Sequence, residues 1–194
     1  MVRSMKKSIG AKTLLFPAPV LMVGTYDSAG KPNLMPASWG GICCSDPPCV
    51  AIALRAATYT HGNIEAQKAF TISIPRQTQV KLVDYLGMIS GRDVDKFAKT
   101  GLTPVKAEKV NAPFAAEFPL TLECRLKHTL ELGLHTLFVG EVIGAQAETD
   151  ILDSEGRVDV EKLKPLSFDP EYYRYHGMGG FLGTAFSVGH DFSP

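Results

Sequence analysis

The chain has 194 residues, of which 45% are hydrophobic, and its 20 Lys and Arg residues are balanced by 20 Asp and Glu residues. This hydrophobic share is large enough to bury a core, which excludes an intrinsically disordered chain. The balanced charge excludes a global electrostatic field that would gather nucleic acid or anionic lipid, so we expect neither as a partner.

Residues 1–16 are predicted to form an N-terminal tail. The best apolar run of the sequence, Leu14 to Val23, is broken by Pro17 and Pro19 and is shorter than the roughly 20 residues that a membrane-spanning helix needs. Basic residues before this run weakly resemble a signal peptide, but Lys12 interrupts the pattern and no clear cleavage site follows. We therefore expect a cytoplasmic protein without a membrane span.

Extended segments dominate the first part of the chain. Val20 to Tyr26 and Pro32 to Trp39 flank a turn sequence, Asp27 to Gly30, and together predict a β-hairpin. The short apolar run Val50 to Leu54 is typical of a core strand. A weakly helical stretch, His61 to Ala69, comes next.

The middle of the chain alternates one more strand with two helices. Phe70 to Ile74 has strict apolar alternation, which predicts a strand with one buried face. Thr78 to Ile89 places its apolar residues on half of a helical wheel and is the clearest helix in the sequence. Asp93 is predicted to cap a short helix that Gly101 ends.

Two long strands are predicted near the end of the barrel sequence, at Leu120 to His128 and His135 to Glu148. The chain after Asp150 reads as loop. Because strands outnumber helices and do not alternate with them, the pattern favours a mainly β fold: an antiparallel, nearly closed barrel with a few peripheral helices. The predicted organisation is a tail (1–16), a barrel (17–150) and a C-terminal extension (151–194) that packs on the barrel or across a dimer interface.

Common enzyme motifs are absent from the sequence. The glycine-rich stretch Gly177 to Gly183 does not match a dinucleotide-binding loop, because its last glycine is one position late and no strand–helix unit surrounds it. We find no P-loop, zinc-protease or nucleophile-elbow motif, and the scattered histidines do not indicate a metal site.

The four cysteines form neither a disulfide framework nor a Cys-x-x-Cys motif. Cys43 and Cys44 are adjacent, Cys49 follows closely and Cys124 stands alone. Free cysteine usually behaves as a small hydrophobic residue, so we expect reduced and mostly buried thiols; a reactive or metal-binding role is the alternative.

Polar and aromatic residues lie at the ends of the predicted strands and helices. Taken singly, each has an ordinary structural interpretation: Trp39 as a core aromatic, Thr60 as a helix cap, Lys96 as a solvated charge and His135 as a strand-end histidine. Taken in order, the segments that carry them resemble the flavin reductase-like family of FMN-binding split barrels. The matching segments are Pro17–Thr25, Asn33–Trp39, Pro47–Pro48, Thr60–Ile64, Ser90–Phe97, His135–Val142 and Pro165–Phe168.

The resemblance implies a six-stranded antiparallel split barrel of Greek-key type that forms a homodimer with FMN near the subunit interface. Pro36 departs from the pattern, since many relatives have threonine there, so we expect a hydroxyl or amide donor to be missing at that position. The residues that match the family's flavin site, with Arg55 and Asn63 as plausible neighbours, are Ser38, Trp39, Arg55, Thr60, Asn63, Lys96, His135 and Phe168.

These residue types suit the two ends of FMN. We expect Thr60 with Lys96 or Arg55 to bind the phosphate, because charge-assisted hydrogen bonds are strong. Trp39 and Phe168 offer apolar cover for the ring. Ser38 could serve the ring edge, and His135 either a ring carbonyl or a phosphate oxygen.

The resemblance predicts an electron-transfer flavoprotein or flavin reductase, a flavin-dependent oxidoreductase in which FMN carries the redox chemistry and no side chain acts as nucleophile or general base. NAD(P)H or a redox protein is expected to donate electrons. A flavin-binding module without turnover, serving as a store or a sensor, is the alternative.

Overall fold

The computed structural model describes residues 5–190 and 192, so the predicted tail (1–16) and extension (151–194) fall partly outside the described residues. Strands outnumber helices within that range. The strands are β1 (Ala18–Pro19), β2 (Leu21–Tyr26), β3 (Pro32–Ala37), β4 (Gly40–Ser45), β5 (Pro48–Arg55), β6 (Ala69–Ile74), β7 (Pro104–Lys106), β8 (Pro113–Ala115), β9 (Leu120–Glu131), β10 (His135–Ala147), β11 (Leu166–Asp169) and β12 (Arg174–Gly177). The α-helices are α1 (Tyr59–Gln67), α2 (Val80–Met88), α3 (Lys96–Thr100) and α4 (Val160–Leu163).

One seven-stranded antiparallel sheet forms the barrel, in the order β3-β2-β6-β9-β10-β5-β4. The end strands of this sheet, β3 and β4, are joined directly by Ser38 and Trp39. The backbone N–H of Ala53 on β5 donates to the carbonyl of Trp39 at 2.7 Å, which extends the β4–β5 pairing by one residue. The predicted mainly β, antiparallel barrel is confirmed, although its sheet has seven strands and not the six that the resemblance implied. A gap remains beside this contact, between β3 and β5, because neither strand pairs with the other along its length.

Apolar side chains fill the barrel from facing strands. Phe70 and Ile72 of β6 are buried with Ile52 of β5 and Phe138 of β10. The alternation in β6 and the continuous apolar run in β5 predicted the burial of those two strands. At Gly24 of β2 no side chain fits, since a Cβ atom there would lie 2.0 Å from the carbonyl oxygen of Pro113. The β7–β8 hairpin therefore packs directly on the backbone of the barrel.

A second apolar cluster lies outside the barrel, beneath the helices. Val83 and Leu86 of α2 are fully buried there against Met22 and Leu34 of the first hairpin. This burial explains the half-wheel pattern that predicted the helix. The cap of the next helix differs from the prediction: Asp95, not Asp93, caps α3, its carboxylate accepting from the Ala98 N–H at 3.0 Å.

The chain after Asp150 contains more regular structure than predicted. α4, β11 and β12 form there, and β11 pairs with β1, so that Phe168 lies opposite Ala18. These elements are short and their apolar residues do not alternate over a long run, which is why the pattern suggested a loop. No helix among the described residues is long and apolar enough to cross a membrane.

The cysteines follow the prediction only in part. All four are free; Cys49 and Cys124 are buried, whereas Cys43 and Cys44 are exposed. The expectation of buried thiols is wrong for these two because β4 is the edge strand of the sheet and is exposed along most of its length.

Candidate functional site

Two adjoining cavities lie at the gap between β3 and β5. One has a volume of about 290 Å³ and the other of about 280 Å³. Met35 and Thr58 line both cavities, so the two form one continuous groove. The ends of the groove differ in chemistry, and we call them the aromatic cavity and the cationic cavity.

The aromatic cavity is lined by rings that come from distant parts of the chain. Trp39, in the link between β3 and β4, lies parallel to the His135 ring, with centroids 6.3 Å apart and planes 5° apart. Phe168 is tilted against Trp39 at 6.5 Å and against Tyr175 at 5.6 Å. This arrangement offers apolar surface to a flat ligand.

Sheet pairing explains how these residues meet. β10 pairs with β5 in a register that places His135 beside Arg55, and both line the aromatic cavity. Tyr175 is held by a hydrogen bond from its hydroxyl to the Asp84 carboxylate at 3.1 Å. Burial, with that hydrogen bond, raises the pKa of Tyr175 to about 12, so the phenol stays neutral at physiological pH.

The cationic cavity faces the beginning of α1. Thr58 caps this helix by accepting from the His61 N–H at 3.3 Å, and the N–H groups of Tyr59 and Thr60 lie earlier in the same turn. The first N–H groups of a helix have no partner within it and carry a partial positive charge. This wall of the cavity therefore favours an anion.

Arg92 lines the same cavity from the turn that follows α2. Its guanidinium donates to the carbonyl of Ala57 at 2.7 Å and lies 5.5 Å from the centre of the Tyr59 ring. Tyr59 in turn donates to the Asp27 carboxylate at 2.6 Å, which raises the pKa of the phenol and lowers that of the carboxyl group. Arg92 thus bridges the loop before α1 and the turn after α2.

Lys96 supplies a second positive charge, in an unusual setting. Lys96 is the first residue of α3 and is only 3% exposed. Its ammonium group donates to the Leu86 carbonyl at 2.7 Å. Burial lowers the pKa of Lys96 to about 8. No carboxylate lines this cavity within the part of the chain that the structure describes, so a bound anion would offset the cost of burying the ammonium group.

A buried amide forms part of the same cavity. Asn33 of β3 donates from Nδ2 to Oγ1 of Thr60 at 3.0 Å, while its Oδ1 atom has no hydrogen-bond partner among the described residues. An unpaired buried acceptor costs about 1–3 kcal/mol, which makes this amide unfavourable as a purely structural element.

The groove brings together seven of the eight residues that the sequence predicted for the site. Ser38, Trp39, Arg55, His135 and Phe168 line the aromatic cavity, and Thr60 and Lys96 line the cationic cavity. Asn63 is not among the lining residues of either cavity; its amide donates instead to Thr25 Oγ1 at 3.1 Å, between α1 and β2. Pro36 lines the aromatic cavity and, as proline, offers no N–H there.

Sequence reasoning missed four contributors to the groove. Asn33 and Arg92 lie inside the segments that carried the family resemblance, yet neither was selected. Tyr175 and Thr58 were missed because their roles depend on contacts with elements distant in sequence or on helix capping. Among the described residues, no group of three His, Cys, Asp or Glu side chains could hold a metal ion.

Comparisons with known proteins agree with this architecture. The family described as flavin reductase like domain matches residues 13–175. The structure of flavoredoxin from Desulfovibrio vulgaris (Miyazaki F) is similar, with 48% identity, a TM-score of 0.91, and coverage of 95% of this chain and 100% of that one. Flavoredoxin from Methanosarcina acetivorans has 32% identity and a TM-score of 0.90, covering 96% and 98%. An uncharacterised protein of Archaeoglobus fulgidus is 36% identical over 142 residues, which is 73% of this chain and 80% of that protein.

Proposed function

Since the chain belongs to the flavin reductase-like domain family, we propose that it is an FMN-binding electron-transfer flavoprotein or flavin reductase. The observation that carries this proposal is the two-ended groove, with stacked aromatic rings at one end and a helix N-terminus with two cations at the other. FMN has the complementary shape, a planar apolar ring joined by a flexible chain to a phosphate. Two similar solved structures are flavoredoxins.

At the cationic cavity, the N–H groups that begin α1, the Thr60 hydroxyl and the charges of Lys96 and Arg92 would hold the phosphate. An FMN phosphate brings close to two negative charges at neutral pH. The two cations match that charge, and the unfavourable burial of Lys96 fits a site that is completed by an anion.

At the aromatic cavity, Trp39, Phe168 and Tyr175 would cover the ring. Ser38 and His135 have polar atoms suited to the ring edge, and Arg55 lies beside His135 on the neighbouring strand. When bound, FMN supplies the electron transfer itself. The chain's residues bind it, orient it and limit the access of water, so none of them needs to act as nucleophile or general base.

We infer that reducing equivalents come from NAD(P)H or from a redox protein. The chain has no separate dinucleotide-binding motif, so a nicotinamide would have to approach the flavin directly. The test is anaerobic: bleaching of the 450-nm flavin band by NADH or NADPH selects a reductase, and bleaching only by a reduced partner protein selects an electron carrier. A yellow protein that neither reduces would be a store or a sensor.

We also propose a homodimer. Leu130, Leu132 and Leu134, around the β9–β10 turn, are 55–64% exposed, and Ile42 on the edge strand β4 is 87% exposed. Exposed apolar clusters of this kind often mark protein interfaces. Light scattering coupled to size-exclusion chromatography is expected to give twice the monomer mass of 21.0 kDa.

We further propose a cytoplasmic location. It fits the four free cysteines, because disulfides are rare in the cytoplasm.

The experiment that tests the core of the proposal is the absorption spectrum of the purified protein, followed by titration of the flavin-free protein with FMN. We expect flavin bands near 375 and 450 nm, and tight binding of FMN with weaker binding of riboflavin, which lacks the phosphate. A colourless protein that takes up no added FMN would refute the proposal.

A further inference from the structure

The amide of Asn33 touches two segments that line the cationic cavity. On one side its Nδ2 group donates to Thr60 Oγ1 at 3.0 Å, at the beginning of α1. On the other side it packs on Gly91: a Cβ atom at position 91 would lie 2.1 Å from Oδ1 of Asn33. Position 91 can therefore hold only glycine while the amide keeps this place, and the turn that carries Arg92 rests directly on it.

The hydrogen bond from Asn33 determines what Thr60 can offer a ligand. A hydroxyl group has one proton to donate and lone pairs that accept. Because a lone pair of Thr60 Oγ1 accepts from Asn33, the hydroxyl proton is left to point elsewhere, and Thr60 lines the cavity. The Thr60 hydroxyl is thereby prepared as a donor, which is the role that a phosphate oxygen requires.

We propose that Asn33 is the positioning residue that gives the groove its preference for a phosphorylated flavin over the unphosphorylated one. This inference rests on the proposed function. Asn33 acts through Thr60, whose proton it directs, and through Gly91, on which it packs. Its unpaired Oδ1 atom is consistent with this role, because a side chain retained only for packing would be better replaced by an apolar one.

The chain contains a matched control for this amide. Asn63 is also buried and also donates from Nδ2 to a threonine hydroxyl, that of Thr25, at 3.1 Å. It lies on α1 but lines neither cavity. Leucine has the same number and branching of heavy atoms as asparagine, so Asn33→Leu and Asn63→Leu each remove one buried Asn–Thr hydrogen bond and make the same change in side-chain size.

The experiment measures the dissociation constants of FMN and riboflavin for the flavin-free wild type and both variants, together with their melting temperatures. For Asn33→Leu we expect the FMN constant to rise about 10- to 100-fold. The riboflavin constant should stay within about twofold, so the preference for FMN collapses, while the melting temperature is kept or raised. For Asn63→Leu we expect the preference to be unchanged.

The outcomes separate this inference from the function on which it rests. A wild type that binds no FMN refutes the proposed function. A wild type that prefers FMN, with Asn33→Leu keeping that preference or weakening both flavins equally, overturns the role of Asn33 alone. Should Asn33→Leu fail to fold, Gly91→Ala makes the same test, because its Cβ atom displaces the amide; an unchanged preference in that variant would also overturn the inference.

Discussion

Replacing Lys96 by methionine is expected to stabilise the flavin-free protein and to weaken its binding of FMN. Burial lowers the pKa of Lys96 from 10.5 to about 8. When the pKa of one lysine differs by this much between the unfolded and the folded chain, keeping it charged in the folded state at neutral pH costs roughly 3 kcal/mol. Methionine keeps an unbranched apolar stem, so after loss of the hydrogen bond to Leu86 we expect the free energy of unfolding to rise by about 1–3 kcal/mol.

The stability of the wild-type protein is expected to change with pH in a direction that can be checked. Below about pH 8 the Lys96 ammonium group is charged in both the folded and the unfolded chain, and the full penalty applies. Between about 8 and 10.5 the folded chain loses the proton while the unfolded chain keeps it, so the stability of the wild type rises with pH. The advantage of Lys96→Met should therefore be complete at neutral pH and should fade across that interval.

Urea denaturation followed by circular dichroism, at several pH values, measures the stability difference, and quenching of flavin fluorescence measures binding. We expect the FMN dissociation constant to rise about 10- to 100-fold at neutral pH, as for the loss of a charge-assisted hydrogen bond, with riboflavin nearly unaffected. Lys99→Met, an exposed change on the same helix, is the control. Lower stability at neutral pH with an unchanged preference for FMN would show that Lys96 serves the fold through Leu86 and does not bind the phosphate.

Three further substitutions test the groove and the barrel. Thr60→Ala is expected to weaken FMN binding by about 1–3 kcal/mol with little effect on riboflavin, measured by the same titration; an unchanged FMN constant would remove Thr60 from the phosphate site. Trp39→Ala should lower the affinity for both flavins and shift the reduction potential of bound FMN in a spectroelectrochemical titration, and finding neither would place the ring of the flavin elsewhere. Gly24→Ala is expected to destabilise the chain by more than about 3 kcal/mol in urea denaturation, because its Cβ atom would lie 2.0 Å from a backbone oxygen that cannot move without the β7–β8 hairpin; wild-type stability would contradict that packing.

The strands and helices that the sequence predicted well are those whose regularly spaced apolar residues pack against a single apolar core. α2 buries one regular face, with Val83 and Leu86. In β6 the alternating Phe70 and Ile72 face the barrel core, although the polar residues that alternate with them are buried as well. β4 was not predicted, because Gly40 to Ser45 are mostly exposed at the sheet edge and leave no alternating pattern. The cap of α3 was assigned two residues too early, since Asp93 and Asp95 have the same chemistry and only the geometry of the turn selects between them.

The candidate site, too, could be predicted from the sequence only in part. The predicted residues that line the groove are separated by up to 130 positions, from Ser38 to Phe168, and only the family resemblance linked them before the fold was described. Asn33 and Arg92 were missed because their contacts reach across 27 and 35 positions to Thr60 and Ala57. Asn63 was included as a neighbour of the flavin site because it lies in the Thr60–Ile64 segment of the resemblance; its amide instead bonds to Thr25 of β2, and it lines neither cavity.

Trp39 is the sole tryptophan of the chain, and its indole lies parallel to His135 in the groove. Emission excited at 295 nm therefore originates from this single place and carries no contribution from the barrel interior. An oxidised flavin absorbs where indole emits, so occupancy of the groove would be visible as energy transfer without any label. The same signal would follow flavin binding on the millisecond scale in a stopped-flow instrument, so that binding kinetics could be measured with the unlabelled protein.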